Sequence, residues 1–487
     1  MLRRQPLFTA LMPQGVSSGL MPDKHGLQAV LWEAAQNVTF FAGKIKRRVP
    51  PALAFSAGAN PIRGLSQQQA ADGTRWLWAA SGGDIRRWYG PSVQDVLLGQ
   101  TWYLDAGSVT VPTFWDFTHF GDWTIINSGL GAAYIHKPPA APAVYGDAPT
   151  NVVTFRKFKN FVMAIGYGPR GTNVAWSDAG NIEVFTPAKT NLAGSLSIED
   201  LDTRIRAAAP LGSNIAVYAE DQLAIVSYVS APFYFGERVA LHGVGAVGKK
   251  AVCADGNTNL GISRAGIWMT DSYSYRYIDE GWLHDYLQEN VNWDQAAKCQ
   301  AIKNDFTGCF EFYFPVRGST SVNEGWSFDP RTQGWGPLNG HESVDERRMF
   351  GYTIVGNADG SVNFDQYDPT ASGPLNLVTK PLLMQLQSPT GIENVHFSCK
   401  IDEVLLLAKA ANNVEFQLQS AAQFDQTVWE LSPWLPVTPG SQTTLIPNMP
   451  DGTFWKLAFR STAANWTLDL QGFMLFGYLN GTQRAQQ

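Results

Sequence analysis

Over most of its length the chain does not space its apolar residues three and four apart, as helices do. Between about residues 75 and 370 it repeats another pattern. An apolar or alternating run of about six residues meets a turn rich in Gly, Asp, Asn or Ser, and a second such run follows; each unit predicts a β-hairpin. Arg75 to Ala80 turns through Ser81-Gly82-Gly83-Asp84 into Ile85 to Tyr89, and Asp122 to Asn127 turns through Ser128-Gly129-Leu130-Gly131 into Ala132 to Lys137. Further hairpins start at Asn160, Asn214, Asn259, Cys309 and Met349. The step of roughly 40 to 50 residues leaves room for about four short strands per unit, which is the signature of propeller blades. The fold class expected is therefore all-β: a β-propeller of about seven blades, six to eight being the range, with a ring of blades burying faces that one blade cannot bury alone.

The flanks read differently. Residues 1–36 mix Pro, Gly and apolar residues without sustained period and predict an extended N-terminal arm, lying on a partner or on the propeller. Asn37 to Val49 predicts a strand pair that completes the last blade, so the propeller is placed at residues 37–374. From residue 375 to 487 the turn spacing changes, and strands such as Ile401 to Ala408, Asn413 to Gln419, Thr453 to Arg460 and Trp466 to Tyr478 predict a C-terminal β-sandwich domain. One helix is expected, Glu280 to Asn290, with Leu283 and Leu287 four apart in an insertion between blades.

Composition narrows the function. Charged residues are only 16% of the chain against roughly 25% in a usual soluble domain, while aromatic residues reach 12%. Such a neutral, aromatic-rich surface favours oligomerisation. The formal net charge of −6 argues against tight nucleic-acid binding, which needs clustered cations. Cys253, Cys299, Cys309 and Cys399 show neither C-x-x-C spacing nor close His partners, so no zinc or redox site is expected. The basic start at Arg3 and Arg4 leads into an apolar stretch broken at Pro13 rather than a signal peptide, and no apolar run approaches membrane-spanning length. Synthesis in a cytoplasm is the expectation.

Catalytic motifs are weak. Ser327-Phe328-Asp329-Pro330-Arg331-Thr332-Gln333-Gly334-Trp335 loosely matches the Asp-box turn of glycosidase blades, but reads more simply as an Asp-Pro turn with Trp335 packed beneath. Glu199, Asp200 and Asp202 form the densest acidic cluster and read as a loop, not as paired catalytic carboxylates. No G-x-S-x-G occurs, and the seven histidines fall in no metal-ligand spacing. Gly243-Val244-Gly245-Ala246-Val247-Gly248 has the letters of a dinucleotide fingerprint without its helix, and reads as a close-packed turn. No enzyme activity and no cofactor are expected. Lys44, Lys46 and Arg48 would share one face of a strand, where they could touch a DNA backbone or a partner's acidic rim.

Asn37-Val38-Thr39-Phe40-Phe41-Ala42-Gly43-Lys44-Ile45-Lys46-Arg47-Arg48 resembles the opening strand pair of the nozzle, or tail tubular protein B, family of short-tailed bacteriophages, a family related to propeller proteins that stabilise packaged DNA. Pro61-Ile62-Arg63-Gly64-Leu65, Tyr218 to Val226, Ala231-Pro232-Phe233-Tyr234-Phe235, Gly243 to Ala246, Gly266 to Asp271, and Ser327-Phe328-Asp329 with Gly334-Trp335-Gly336 follow in similar order and spacing. Trp466-Thr467-Leu468 is similar to part of the family's terminal β domain, whereas the first 36 residues lie outside the resemblance. The resemblance implies a structural virion protein: a homohexameric tail nozzle forming the DNA exit channel and helping retain and eject the genome. It implies partners in the tail adaptor or connector and in tail fibre or tip proteins, with only transient, non-specific contact to DNA. Location in the virion tail, after synthesis in the bacterial host, follows. The competing expectation is a glycan-binding or glycan-depolymerising propeller that acts as a receptor-binding tail protein.

Overall fold

A computed structural model of the chain describes residues 60–89, 98–104, 112–345 apart from single positions 232, 306 and 332, then 353–365, and 375–484 with short gaps; before residue 60 it describes the strands 5–11, 32–36, 38–41, 44–47 and 52–56. The protein is all-β. Two compact units divide it: a larger one of Pro51–Gly325 with Leu338–Asp365, and a terminal one of Met1–Pro50, Trp326–Pro337 and Gln366–Gln487.

Among the described residues there are seven small antiparallel sheets of four strands. In the first five the strands follow chain order. Sheet 1 is Ile62–Gln69, Arg75–Ser81, Asp84–Tyr89 and Leu98–Tyr103, and sheet 2 is Asp116–Phe120, Trp123–Asn127, Tyr134–His136 and Ala143–Val144. Sheet 3 is Thr154–Phe158, Phe161–Tyr167, Asn173–Trp176 and Gly194–Ser197; sheet 4 is Ala207–Leu211, Asn214–Tyr218, Gln222–Ser230 and Tyr234–His242. Sheet 5 is Val252–Asp255, Thr258–Ser263, Gly266–Thr270 and Tyr275–Tyr277. Sheet 6 is Gln300–Asn304, paired to Cys309–Phe314, then Glu324–Asp329 and Gly334–Asn339. Sheet 7 is Ser343–Asp345, Thr353–Gly356 and Ser361–Asp365, with Ala52–Ser56 from far upstream as its fourth strand.

The seven hairpins expected from the sequence are the middle two strands of the seven sheets. The first strands were not among them. They join the second strands through turns of two residues in sheets 2 to 5: Gly121-Asp122, Lys159-Asn160, Gly212-Ser213 and Gly256-Asn257. In each the first turn residue has positive φ, which tight antiparallel turns demand and which glycine meets without strain; Lys159 at φ 53° is the non-glycine exception.

Each first strand lies against the first strand of the next sheet, and Ser343–Asp345 lies against Ile62–Gln69. The cores sit between successive sheets and explain the apolar runs. Ile126 packs with Trp78, Trp115 and Phe117 between sheets 1 and 2, while its neighbour Ile125 packs with Phe155, Val162 and Ala164 between sheets 2 and 3. In sheet 3 Met163 and Ile165 turn the other way, toward Ile215, Val217 and Val226 of sheet 4. Side chains alternate across a strand, so a sheet covered on both faces needs apolar residues at odd and even positions alike. Burying one such side chain fully contributes about 1.5–3 kcal/mol.

The described residues of the terminal unit form two larger sheets, each of seven strands. One centres on the long pair Gly391–Ala411 and Thr467–Arg484, and the other on Phe454–Ser461 beside Glu415–Ala421. Their inward residues share one core, in which Ile401, Leu406, Phe473 and Leu475 of the first meet Phe416, Leu418, Trp455 and Phe459 of the second. Both sheets recruit the N-terminus. Gln5–Leu11 pairs with Thr467–Arg484, and Trp32–Gln36 pairs with Leu375–Thr379.

The strand pair read at residues 37–49 exists as Val38–Phe41 with Lys44–Arg47, but it does not complete the last small sheet. It joins Thr467–Arg484 through Ile45 opposite Leu470, and Ala52–Ser56 takes the place foreseen for it. The expected helix is Trp282–Asn290, lying between sheets 5 and 6 with Leu283 and Leu287 buried. No described helix is long and apolar enough to cross a membrane.

Candidate functional site

The first strands, or the residues just before them, surround one cavity of about 480 Å³ to which all seven sheets contribute. Its walls divide by chemistry. Ala208, Ala209, Ala254 and Ala301 are small and leave space, whereas Arg156, Lys157, Lys249 and Lys250 bring four cations against the two carboxylates Asp116 and Asp345. In a chain of net charge −6 this wall is locally positive.

Arg156 reaches from sheet 3 to Asp116 of sheet 2, Nη1 donating to Oδ2 at 3.1 Å, while Nε donates to the Ala208 carbonyl of sheet 4 at 2.9 Å. The Thr154 hydroxyl also donates to Asp116. Burial pushes the Asp116 carboxyl up, but Arg156, Lys249, this hydroxyl and Lys250 outweigh it, and the group lies below its usual range. Lys249 Nζ donates to the Phe114 carbonyl at 3.2 Å and the Ser128 carbonyl at 3.5 Å, and burial pushes it down to about 8 even though Asp116 opposes the shift. Lys250 Nζ donates to the Ser343 hydroxyl at 3.1 Å, and burial lowers it too. Sheets 7 and 1 are joined by Arg63 Nη1 on Glu342 at 2.7 Å, where the Glu342 side chain is only 2% exposed.

A second chain of polar groups runs along the same wall. Ser66 Oγ meets His119 Nε2 at 2.8 Å, His119 Nδ1 meets the Thr124 hydroxyl at 3.1 Å, and Thr124 donates to Gln68. A hydrolytic triad would place a carboxylate where Thr124 stands, to orient the imidazole and stabilise its cation. The chain instead ties sheet 1 to sheet 2.

Arg87 of sheet 1 is buried. Its guanidinium sits 3.7 Å from the Trp76 ring centre, with Trp78 and Trp102 at 5.4 and 5.5 Å, and donates to Gln100 at 2.7 Å. His136 Nδ1 lies 3.5 Å from Arg87 Nη1; burial, reinforced by Arg87, pushes the imidazole down to about 4. The aromatic box thus already holds a cation of its own.

The other motifs settle as structural pieces. Asp329 receives the Arg331 backbone N–H and guanidinium, and Trp335 packs on Phe328 at 4.9 Å, as an Asp-Pro turn requires. A Cβ on Gly245 would stand 2.1 Å from the Glu220 carbonyl oxygen, so the Gly243–Gly248 stretch is a turn that only glycine can pack. Glu199 pairs with Arg170 in an exposed loop. All four cysteines are buried and outside any disulfide, and burial pushes the Cys399 thiol up to about 12. No group of three His, Cys, Asp or Glu that could hold a metal occurs among the described residues.

Of the expected contact residues, Lys44 and Lys46 lie in strand Lys44–Arg47, opposite Phe41 and Thr39, and Arg48 lies outside the described residues. The cavity's own residues escaped sequence reasoning because they come in short runs from seven places along the chain. A different surface feature falls on the segment 231–235. Sheet 4 ends in two strands of nine residues whose tip holds Phe233 74% exposed, beside Val229 at 51%. Among known proteins, no family model and no curated protein matches the chain.

Proposed function

We propose that the seven small sheets are the blades of a closed seven-bladed β-propeller, that the terminal unit is a β-sandwich, and that the protein is a structural component rather than an enzyme. In this reading it is a ring-forming nozzle of a short-tailed phage tail, a homohexamer through which DNA passes. The cyclic contacts of the first strands and the cavity they share support the propeller. The tail role is carried by one observation. The hairpin end of sheet 4, which falls within the segment 231–235 of the family resemblance, holds Phe233 in water, and a subunit gains by covering such an apolar group against a neighbour. A closed ring needs two different patches of each subunit to meet, and the tip serves as one of them.

Negative-stain images and sedimentation of the purified chain test this. A sixfold ring is the expected result; a monomer at all concentrations would overturn it. Release of reducing sugar from host polysaccharide, abolished by one Asp or Glu substitution, would favour the glycan-cleaving alternative instead.

A further inference from the structure

We propose that the cavity among the first strands is an anion site, and that it takes a small phosphate dianion. The proposal rests on the cavity alone and stands whether or not the protein forms a tail ring.

The charge balance comes first. Four cations and two carboxylates line the space, a formal excess of two positive charges that a small dianion would neutralise. Low-dielectric walls make such an excess costly when empty and attractive to an anion when filled. The donors come next. Arg156 spends Nε and Nη1 on protein oxygens, and its Nη2 has no partner among the described residues. Lys250 has a single hydrogen-bond partner among the described residues, Ser343, and Lys249 has two carbonyls. An ammonium carries three N–H groups, so each lysine keeps donor capacity. Arginine forks and lysine ammonium groups together are the usual cradle of a phosphate.

Space decides the size. The volume lies within the range of roughly 300–1,000 Å³ typical of small-molecule sites. The four alanines are small and leave it open. Asp116 does not defeat the site, because Arg156 and Thr154 already satisfy it.

Titration calorimetry of the full chain with sodium phosphate, at ionic strength held constant with sodium chloride, is the test. One saturable site is expected. Lys249→Met and Lys250→Met should each weaken it about tenfold or more, the size of one charge-assisted hydrogen bond, while Lys189→Met on the surface should leave it unchanged. Phosphorus NMR line broadening on the unmodified protein supplies a reading if a lysine variant fails to fold. A short single-stranded DNA competes in a second arm: displacement of phosphate by the free 5′-mononucleotide but not by the oligomer supports a small-molecule site, and displacement by the oligomer alone overturns it. Absence of saturation, or equal affinity in all three variants, overturns the proposal outright.

Discussion

In the larger unit a sheet is finished within about 50 residues of its start, whereas in the terminal unit Gln5 pairs with Gly477 and Trp32 with Thr379. The same alternation of side chains serves both, but it is spent differently. A small sheet cannot bury either face by itself, so its stability comes from the sheets before and after it in sequence. A large sheet of the terminal unit buries one shared core and gathers its strands from both ends of the chain. Order along the chain is thus nearly order in space for the first unit and a poor guide to the second. Sheet 7 is the exception inside the larger unit, because it takes Ala52–Ser56 from upstream.

Two substitutions, one per unit, give the largest expected effects. Arg63→Met removes the partner of a buried carboxylate and should cost about 3–5 kcal/mol, the usual penalty for leaving a charge buried and unpaired. Trp455→Ala opens a cavity in the shared core of the terminal unit and should cost a similar 3–5 kcal/mol or so. Urea denaturation measures both. If Arg63→Met is silent, the ion pair joining sheets 7 and 1 adds nothing to the larger unit.

The next effect depends on pH. The His136 imidazole titrates near 4 in the fold and near 6.5 in the unfolded chain. Between those values the unfolded chain binds a proton that the folded protein refuses. The stability is therefore fully present above pH 6.5 and falls as pH drops toward 4, by about 3 kcal/mol. Denaturation curves from pH 7 to 4 should show this loss, and His136→Asn should flatten it. An unchanged slope would place the acid sensitivity elsewhere.

The smallest change in stability, and the sharpest test of assembly, is Phe233→Ser. An exposed side chain contributes little to its own fold, so the midpoint should move by less than about 0.5 kcal/mol. Ring formation, followed by sedimentation, should nevertheless be lost. Retention of rings would move the interface away from the hairpin tip.

How much of this the sequence disclosed follows from the same contrast. The middle hairpins were legible because apolar residues fill both of their faces and turn residues punctuate them, as Asn259–Ser263 and Gly266–Thr270 do. The first strands were not. Gln67, Gln68, Asp116, Thr118, Arg156 and Lys157 make them look like polar connections, yet those residues answer to neighbouring sheets and to the cavity. Residues 38–47 were readable as a hairpin, but nothing in local spacing names a partner strand beginning at Thr467. Lys249 and Asp116 lie far apart in sequence, and no motif spans such a gap.

The upstream origin of Ala52–Ser56 has a consequence for synthesis on the ribosome. That strand emerges early, while its partner Ser361–Asp365 follows about 300 residues later, roughly 15–60 s at ordinary elongation rates. During this interval sheets 1 to 6 can pair as each is completed, but Ala52–Ser56 must wait with its hydrogen-bonding edge open. A nascent chain stalled before Ser361 would hold sheets 1 to 6 and still present a free strand edge, the form most prone to pair with another copy.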